Sequence, residues 1–157
     1  MTTRPMKRSA ERGFTLMELM IVISLMALLG SFAIPAYTGY IDDARVGKAV
    51  TDIGRISLEI QRYQTNNDGL LPPDLATINL GDLRDPWDRA YIYQPMTDAT
   101  PKNQKRRTAA NVPLNTDYDL LSRGPDNRSN RRLSNTRAHD DIIRASNGAY
   151  VGRGDEL

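Results

Sequence analysis

The sequence predicts an α+β chain. One long N-terminal helix, half membrane-spanning and half amphipathic, packs on a small antiparallel β-sheet with long C-terminal loops. Three observations predict it. Residues 19–41 form a 23-residue run without a charge. An apolar stripe at helical spacing follows that run, and beyond Pro72-Pro73 short strand-like segments alternate with polar stretches.

The uncharged run is long enough to matter. At helical rise it spans roughly 35 Å, against a hydrocarbon core of about 30 Å. Lys7, Arg8 and Arg12 precede it, so the positive-inside rule keeps the N-terminus cytoplasmic and places the bulk of the chain beyond the membrane. Such a compartment permits disulfides, yet the 157 residues include no cysteine. Disulfides, zinc–thiolate sites and thiol nucleophiles are thereby excluded, and long loops need another staple.

Helical periodicity resumes after Pro35. Val46, Ala49, Ile53, Ile56, Ile60 and Tyr63 recur at spacings of three and four, while Asp42, Asp43, Arg45, Lys48, Asp52, Arg55, Glu59 and Arg62 take the other faces. The spacing predicts a single helix over residues 14–65, stopped by Asn66-Asn67-Asp68-Gly69 and kept from resuming by Pro72-Pro73. Pro35, flanked by Gly30 and Gly39, removes one helical hydrogen bond and predicts a kink. Ala90-Tyr91-Ile92-Tyr93 and Asp117-Tyr118-Asp119-Leu120-Leu121 read as strands. The polar stretches 97–111 and 122–137 read as long loops, a length that marks function or disorder. No internal repeat is visible.

Composition narrows the function. The charge of +2 and pI of about 9.0 suggest an anionic partner at first sight. The excess, however, sits at the start: Arg4, Lys7, Arg8 and Arg12 against Glu11 give +3 in the first 13 residues, leaving −1 for the remainder. Hydrophobic residues make up 39% and mean hydropathy is −0.52, so the core outside the apolar run is modest. His139 is the single histidine, which rules out a multi-histidine metal site. No base–nucleophile spacing points to an enzyme, and His139 is expected to be exposed in a loop.

The junction before the apolar run reads Lys7-Arg8-Ser9-Ala10-Glu11-Arg12-Gly13-Phe14-Thr15-Leu16-Met17-Glu18. An ordinary secretory signal is one reading, with Ser31-Phe32-Ala33 as its cleavage site. Against it, the run exceeds a 7–15-residue h-region and carries a carboxylate at its start. That carboxylate would cost about 2.5–3.5 kcal/mol deep in a bilayer unless it has a purpose. Gly13-Phe14-Thr15-Leu16-Met17-Glu18 resembles the processing signature of the type IV pilin superfamily. The resemblance implies that a prepilin peptidase cuts after Gly13 and methylates the new Phe14 amine. The chain then divides into a leader (1–13), a transmembrane and assembly helix (14–41) and a periplasmic pilin-like domain (42–157). Glu18 would neutralise the Phe14 amine of a neighbouring subunit and so fix register, because a buried ion pair penalises wrong registers more than it stabilises the right one. The alternative is that Glu18 serves only the helix dipole. By the same resemblance, the segment around Pro35 can loosen in an assembled fibre.

Two further segments resemble the major pseudopilins of type II secretion systems. Asp85-Pro86-Trp87-Asp88-Arg89-Ala90-Tyr91-Ile92-Tyr93 is similar to an Asp-Pro-Trp-Gly-x-x-Tyr-x-Tyr segment, with Asp88 where glycine is usual, so a different turn is expected. Trp87 reads as a core anchor. Leu120-Leu121-Ser122-Arg123-Gly124-Pro125-Asp126-Asn127, followed by Asp140-Asp141-Ile142, is similar to a calcium-binding loop. The resemblance implies Asp126 and Asp141 as side-chain ligands, joined by Asp140, Ser122 and Leu120, which suits an ion that takes 6–8 oxygens. Asn127 replaces a usual glycine, and Arg123, Arg128, Arg131, Arg132 and Arg137 crowd the loop. Those arginines offer a second staple, pairing with Asp126 and Asp140 in place of calcium, and disorder is the third possibility.

The resemblance implies a non-enzymatic filament subunit of the bacterial inner membrane, single-pass, with its domain in the periplasm. It would form a homo-polymer with other pseudopilins, driven by an inner-membrane assembly platform, into a periplasmic pseudopilus for type II secretion. The alternative is a type IV pilus subunit, fibre-forming or minor. Lys102, Lys105, Arg106 and Arg107 also suggest DNA-binding loops, but no aromatic residue lies between Tyr93 and Tyr118 to stack on bases. Nucleic acid is therefore the less supported partner.

Overall fold

The computed structural model describes residues 13–97 and 100–157. The leader, apart from Gly13, lies outside the described residues. The chain divides into two compact units, Met1–Tyr40 and Ile41–Leu157. Helix α1 (Leu16–Asn66) is continuous through Pro35.

In the first unit the described helical residues are exposed, with only Gly30 half-buried. Their serine and threonine hydroxyls are turned inward on the helix itself. Ser24 Oγ donates to the Met20 carbonyl at 2.7 Å, Ser31 Oγ to Leu28 at 2.7 Å and Thr38 Oγ1 to Pro35 at 2.9 Å. The surface presented outward is consequently apolar, as an environment without water demands.

The second unit is built on four strands: β1 (Ile92–Pro95), β2 (Tyr118–Ser122), β3 (Ile142–Ala145) and β4 (Tyr150–Arg153). They pair antiparallel in sequence order, with Leu121 opposite Ile92 on one side and Ile143 on the other. Alternation sends Leu120 and Ile142 to one face and Leu121 and Ile143 to the other. The first face receives the helical stripe: Ala49, Ile53, Ile56 and Ile60 are fully buried there, while Val46 and Tyr63 stay half-buried. Each isoleucine so buried contributes roughly 1.5–3 kcal/mol. Leu75, Leu80 and Tyr91 complete this layer, and Trp87 packs half-buried against it, as a core anchor should.

The opposite face is covered by the long loops themselves, through Leu114, Leu133 and Ala138. Their described residues are tied to each other. Arg107 N donates to the Arg131 carbonyl at 2.8 Å and Leu133 N to the Arg107 carbonyl at 3.0 Å, joining the two loops edge to edge. Within this layer His139 is half-buried, not exposed as expected, and its carbonyl accepts from Asp155 N at 3.2 Å.

Candidate functional site

Two places carry the residues singled out from sequence. At the start of α1, Gly13 and Phe14 precede the helix and are exposed, Phe14 by 83%. Thr15 and Glu18 close a reciprocal cap. Thr15 Oγ1 accepts from Glu18 N at 3.2 Å, while Glu18 Oε2 accepts from Thr15 N at 2.9 Å and from Thr15 Oγ1 at 3.0 Å. This is the Thr-x-x-Glu capping box, a pattern that Thr15 and Glu18 already display in the sequence. In one subunit alone, then, Glu18 already has donors, and the Gly13–Phe14 bond lies in non-helical, accessible chain. Pro35 lies further along the same exposed apolar surface.

The second place is the junction of the Asp85 turn with the loops after β2 and before β3. Asp85 organises it. Its Oδ1 accepts from Trp87 N at 3.0 Å and Arg89 N at 2.8 Å, and its Oδ2 accepts from Ser122 Oγ at 2.5 Å. Asp88 and Asn127, standing where glycine is usual, adopt φ of 64° and 59°. The left-handed turns survive both replacements because Asp and Asn tolerate that conformation better than other side chains. Gly124 cannot be so replaced: at φ 61° an added Cβ would sit 2.1 Å from the Asp140 carbonyl oxygen.

The five residues expected to hold calcium do not converge. Asp126 and Asp140 meet, with Asp126 N donating to Asp140 Oδ2 at 3.1 Å. Burial, and then the Asp126 carboxylate, raise Asp140 above the usual carboxylate range. Asp141 is turned to the opposite side. It is fully buried, where its Oδ2 accepts from Arg106 Nη2 and from Ser129 Oγ at 2.6 Å. Burial raises its pKa, against the pull of Arg106. Ser122 is committed to Asp85, and Leu120 stands inside β2 with its side chain in the core. The Gly124 and Pro125 carbonyls accept from Arg89. Among the described residues, no three acidic or histidine groups form a cluster able to hold a metal. One carboxylate oxygen, Asp141 Oδ1, is buried without a partner, far short of the 6–8 oxygens calcium takes. This donor set does not fit one calcium shell. Thermal melting of the full chain in detergent is expected to be unchanged by millimolar calcium or a chelator; a calcium-dependent rise would mean that the loop rearranges to gather these oxygens.

The arginine staple also differs from expectation. Arg123, Arg128, Arg131, Arg132 and Arg137 form no ion pair with any described residue. The buried cation at this junction is Arg106, from the other loop, and Arg89 supplies the second tie. Sequence gives little warning of the Arg106–Asp141 pair, whose members are 35 residues apart.

Comparison with known proteins places these sites in a family. A model described as the prokaryotic N-terminal methylation motif matches residues 8–34, which include Gly13, Phe14 and Glu18. The chain is 32% identical to the type II secretion system core protein G of Escherichia coli K12, over 74% of this chain and 83% of that protein. The chain belongs to the core protein G family. A core protein G of Pectobacterium carotovorum is 28% identical, over 73% of this chain and 69% of that protein. Fimbrial proteins match less widely: the major fimbrial protein FimA of Dichelobacter nodosus is 35% identical over 48% of this chain and 47% of its own. No solved structure matches the chain. Core protein G membership, with the methylation motif at the exposed junction, makes the chain a pseudopilin of type II secretion, built as a long helix on a four-stranded antiparallel sheet.

Proposed function

We propose that this pseudopilin is cut after Gly13, methylated on the Phe14 amine and polymerised through its apolar helix into a periplasmic filament. The observation that carries this reading is the start of α1: an exposed, non-helical Gly13–Phe14 junction, a carboxylate one turn inside, and a helix surface that is apolar and almost wholly exposed. Such a surface is stable in lipid before assembly and against other helices afterwards. The peptidase would supply the cut and the methyl group, other pseudopilins would share the polymer, and an inner-membrane platform would drive its growth. The leader's positive charge keeps the N-terminus cytoplasmic. The chain acts as a structural subunit and not as a catalyst.

Intact-mass measurement after co-expression with a prepilin peptidase tests the processing step. The expected product begins at Phe14 and carries one added methyl group. A product that begins after Ala33, or an uncut chain, would replace this reading with a signal peptide or a simple anchor.

A further inference from the structure

The charges of the second unit are unevenly placed, and bases outnumber acids in the loops after β1 and β2, where Asp126 is also exposed. On the face covered by the loops, Lys105, Arg123, Arg128, Arg131, Arg132 and Arg137 surround adjoining hollows. One hollow, about 220 Å³, is lined by Asn103, Lys105, Arg107, Asn130, Arg131 and Arg132, with no carboxylate among the described residues. Among the described residues the one carboxylate in the adjoining hollow, Asp119, is buried and accepts from Arg106 N at 2.9 Å and Asn115 Nδ2 at 3.0 Å. The cations are held together by backbone pairing between the loops, so their mutual repulsion is built into the fold and not relieved by motion of free strands.

The other face is covered by α1 and by residues 67–91, whose Leu75, Leu80 and Tyr91 pack into the helix-side core. That segment exposes Asp68, Asp74, Asp82 and Asp88 against a single exposed base, Arg84. None of these four carboxylates, and none of the six cations, forms an ion pair with a described residue. Within one subunit the two sets form no ion pair with each other. A polymer that grows head to tail, by contrast, requires two unlike patches that fit each other on the same subunit.

We infer that the basic face formed by Lys105, Arg123, Arg128, Arg131, Arg132 and Arg137 docks on the acidic segment Asp68, Asp74, Asp82 and Asp88 of a second copy. This rests on the filament reading above. The helix drives association, and the bipolar domain selects which neighbour is accepted and in which direction. Electrostatic matching of this kind contributes mainly specificity and encounter rate.

Charge reversal in the full chain, co-expressed with the processing and assembly components, tests it. Pelletable polymer is the readout, and Trp87 fluorescence melting checks that each variant folds. Arg131→Glu with Arg132→Glu is expected to lower polymer yield by roughly tenfold or more, since like charges meet at the contact. Adding Asp74→Arg and Asp82→Arg in the same chain is expected to restore it. Unchanged yield in the first variant overturns the inference. A loss that the acidic-side reversals fail to restore also overturns it, and assigns the basic face to another anionic partner. If the parent chain forms no polymer at all, the filament reading itself fails and this inference with it.

Discussion

Replacing Glu18 by Gln is expected to abolish incorporation into filaments while leaving the start of the helix intact. The two roles open to Glu18 separate at this substitution. Gln serves as well as Glu in a capping box, so the bonds to Thr15 persist in the variant. What disappears is the negative charge that would meet the Phe14 amine of a neighbouring subunit. Glu18→Ala removes both and should cost the helix about 1 kcal/mol in addition. Polymer is pelleted from cells expressing each variant together with the peptidase, and processing is checked by mass. Normal assembly of the Gln variant would leave Glu18 with its local cap alone.

Arg106→Gln is expected to be the most destabilising single change in the domain. Arg106 and Asp141 are both buried, at 8% and 0% side-chain exposure, and truncating one leaves the other charge without compensation. Breaking a pair of this kind costs about 3–5 kcal/mol. The pH dependence carries a definite sign. Burial already raises Asp141, and Arg106 is the first of the groups opposing that rise. Without the guanidinium the native carboxyl binds its proton more tightly still than the unfolded one does. Stability of the variant therefore falls as pH rises above the ordinary carboxylate range and is recovered on acidification. The gap in melting temperature between variant and parent should narrow from pH 7 to pH 5. Arg106→Met with Asp141→Leu, which removes both charges, should lose much less than the single change. A single variant that melts like the parent at pH 7 would show that the pair holds nothing together.

Much of the architecture was legible from the chain. The stripe from Val46 to Tyr63 identified the packed helix because apolar spacing and burial report the same face. The Gly13-Phe14 junction and Glu18 identified the family because the processing signature is local in sequence. Strands β3 and β4 were missed. Each has only four residues, and β3 is covered on both faces, so its Ile142-Ile143-Arg144-Ala145 shows no alternation. It also carries a buried charge. Arg144 binds Asp117 at 2.7 Å and lies over the Tyr118 ring at 3.9 Å, contacts that no local pattern announces. Asp52 misled in the same way: placed on a charged face by spacing, it is buried, accepting from Tyr91 Oη at 2.9 Å and Lys48 Nζ at 2.8 Å. Asp140 and Asp141, expected to serve one cluster, have different partners because adjacent residues point apart.

The order of the strands bears on how the domain is made. Each strand pairs with the one that precedes it in the chain, so the sheet can grow by successive hairpins as residues become available. Pairings of this sequential kind carry a small loop-closure cost and belong to fast-folding topologies. The demanding step is different: the stripe on α1 must wait for Leu120 and Ile142, synthesised some 60 to 90 residues later, before its isoleucines are covered. A nascent subunit therefore carries two exposed apolar surfaces for a time, and only one of them has its cover within the same chain.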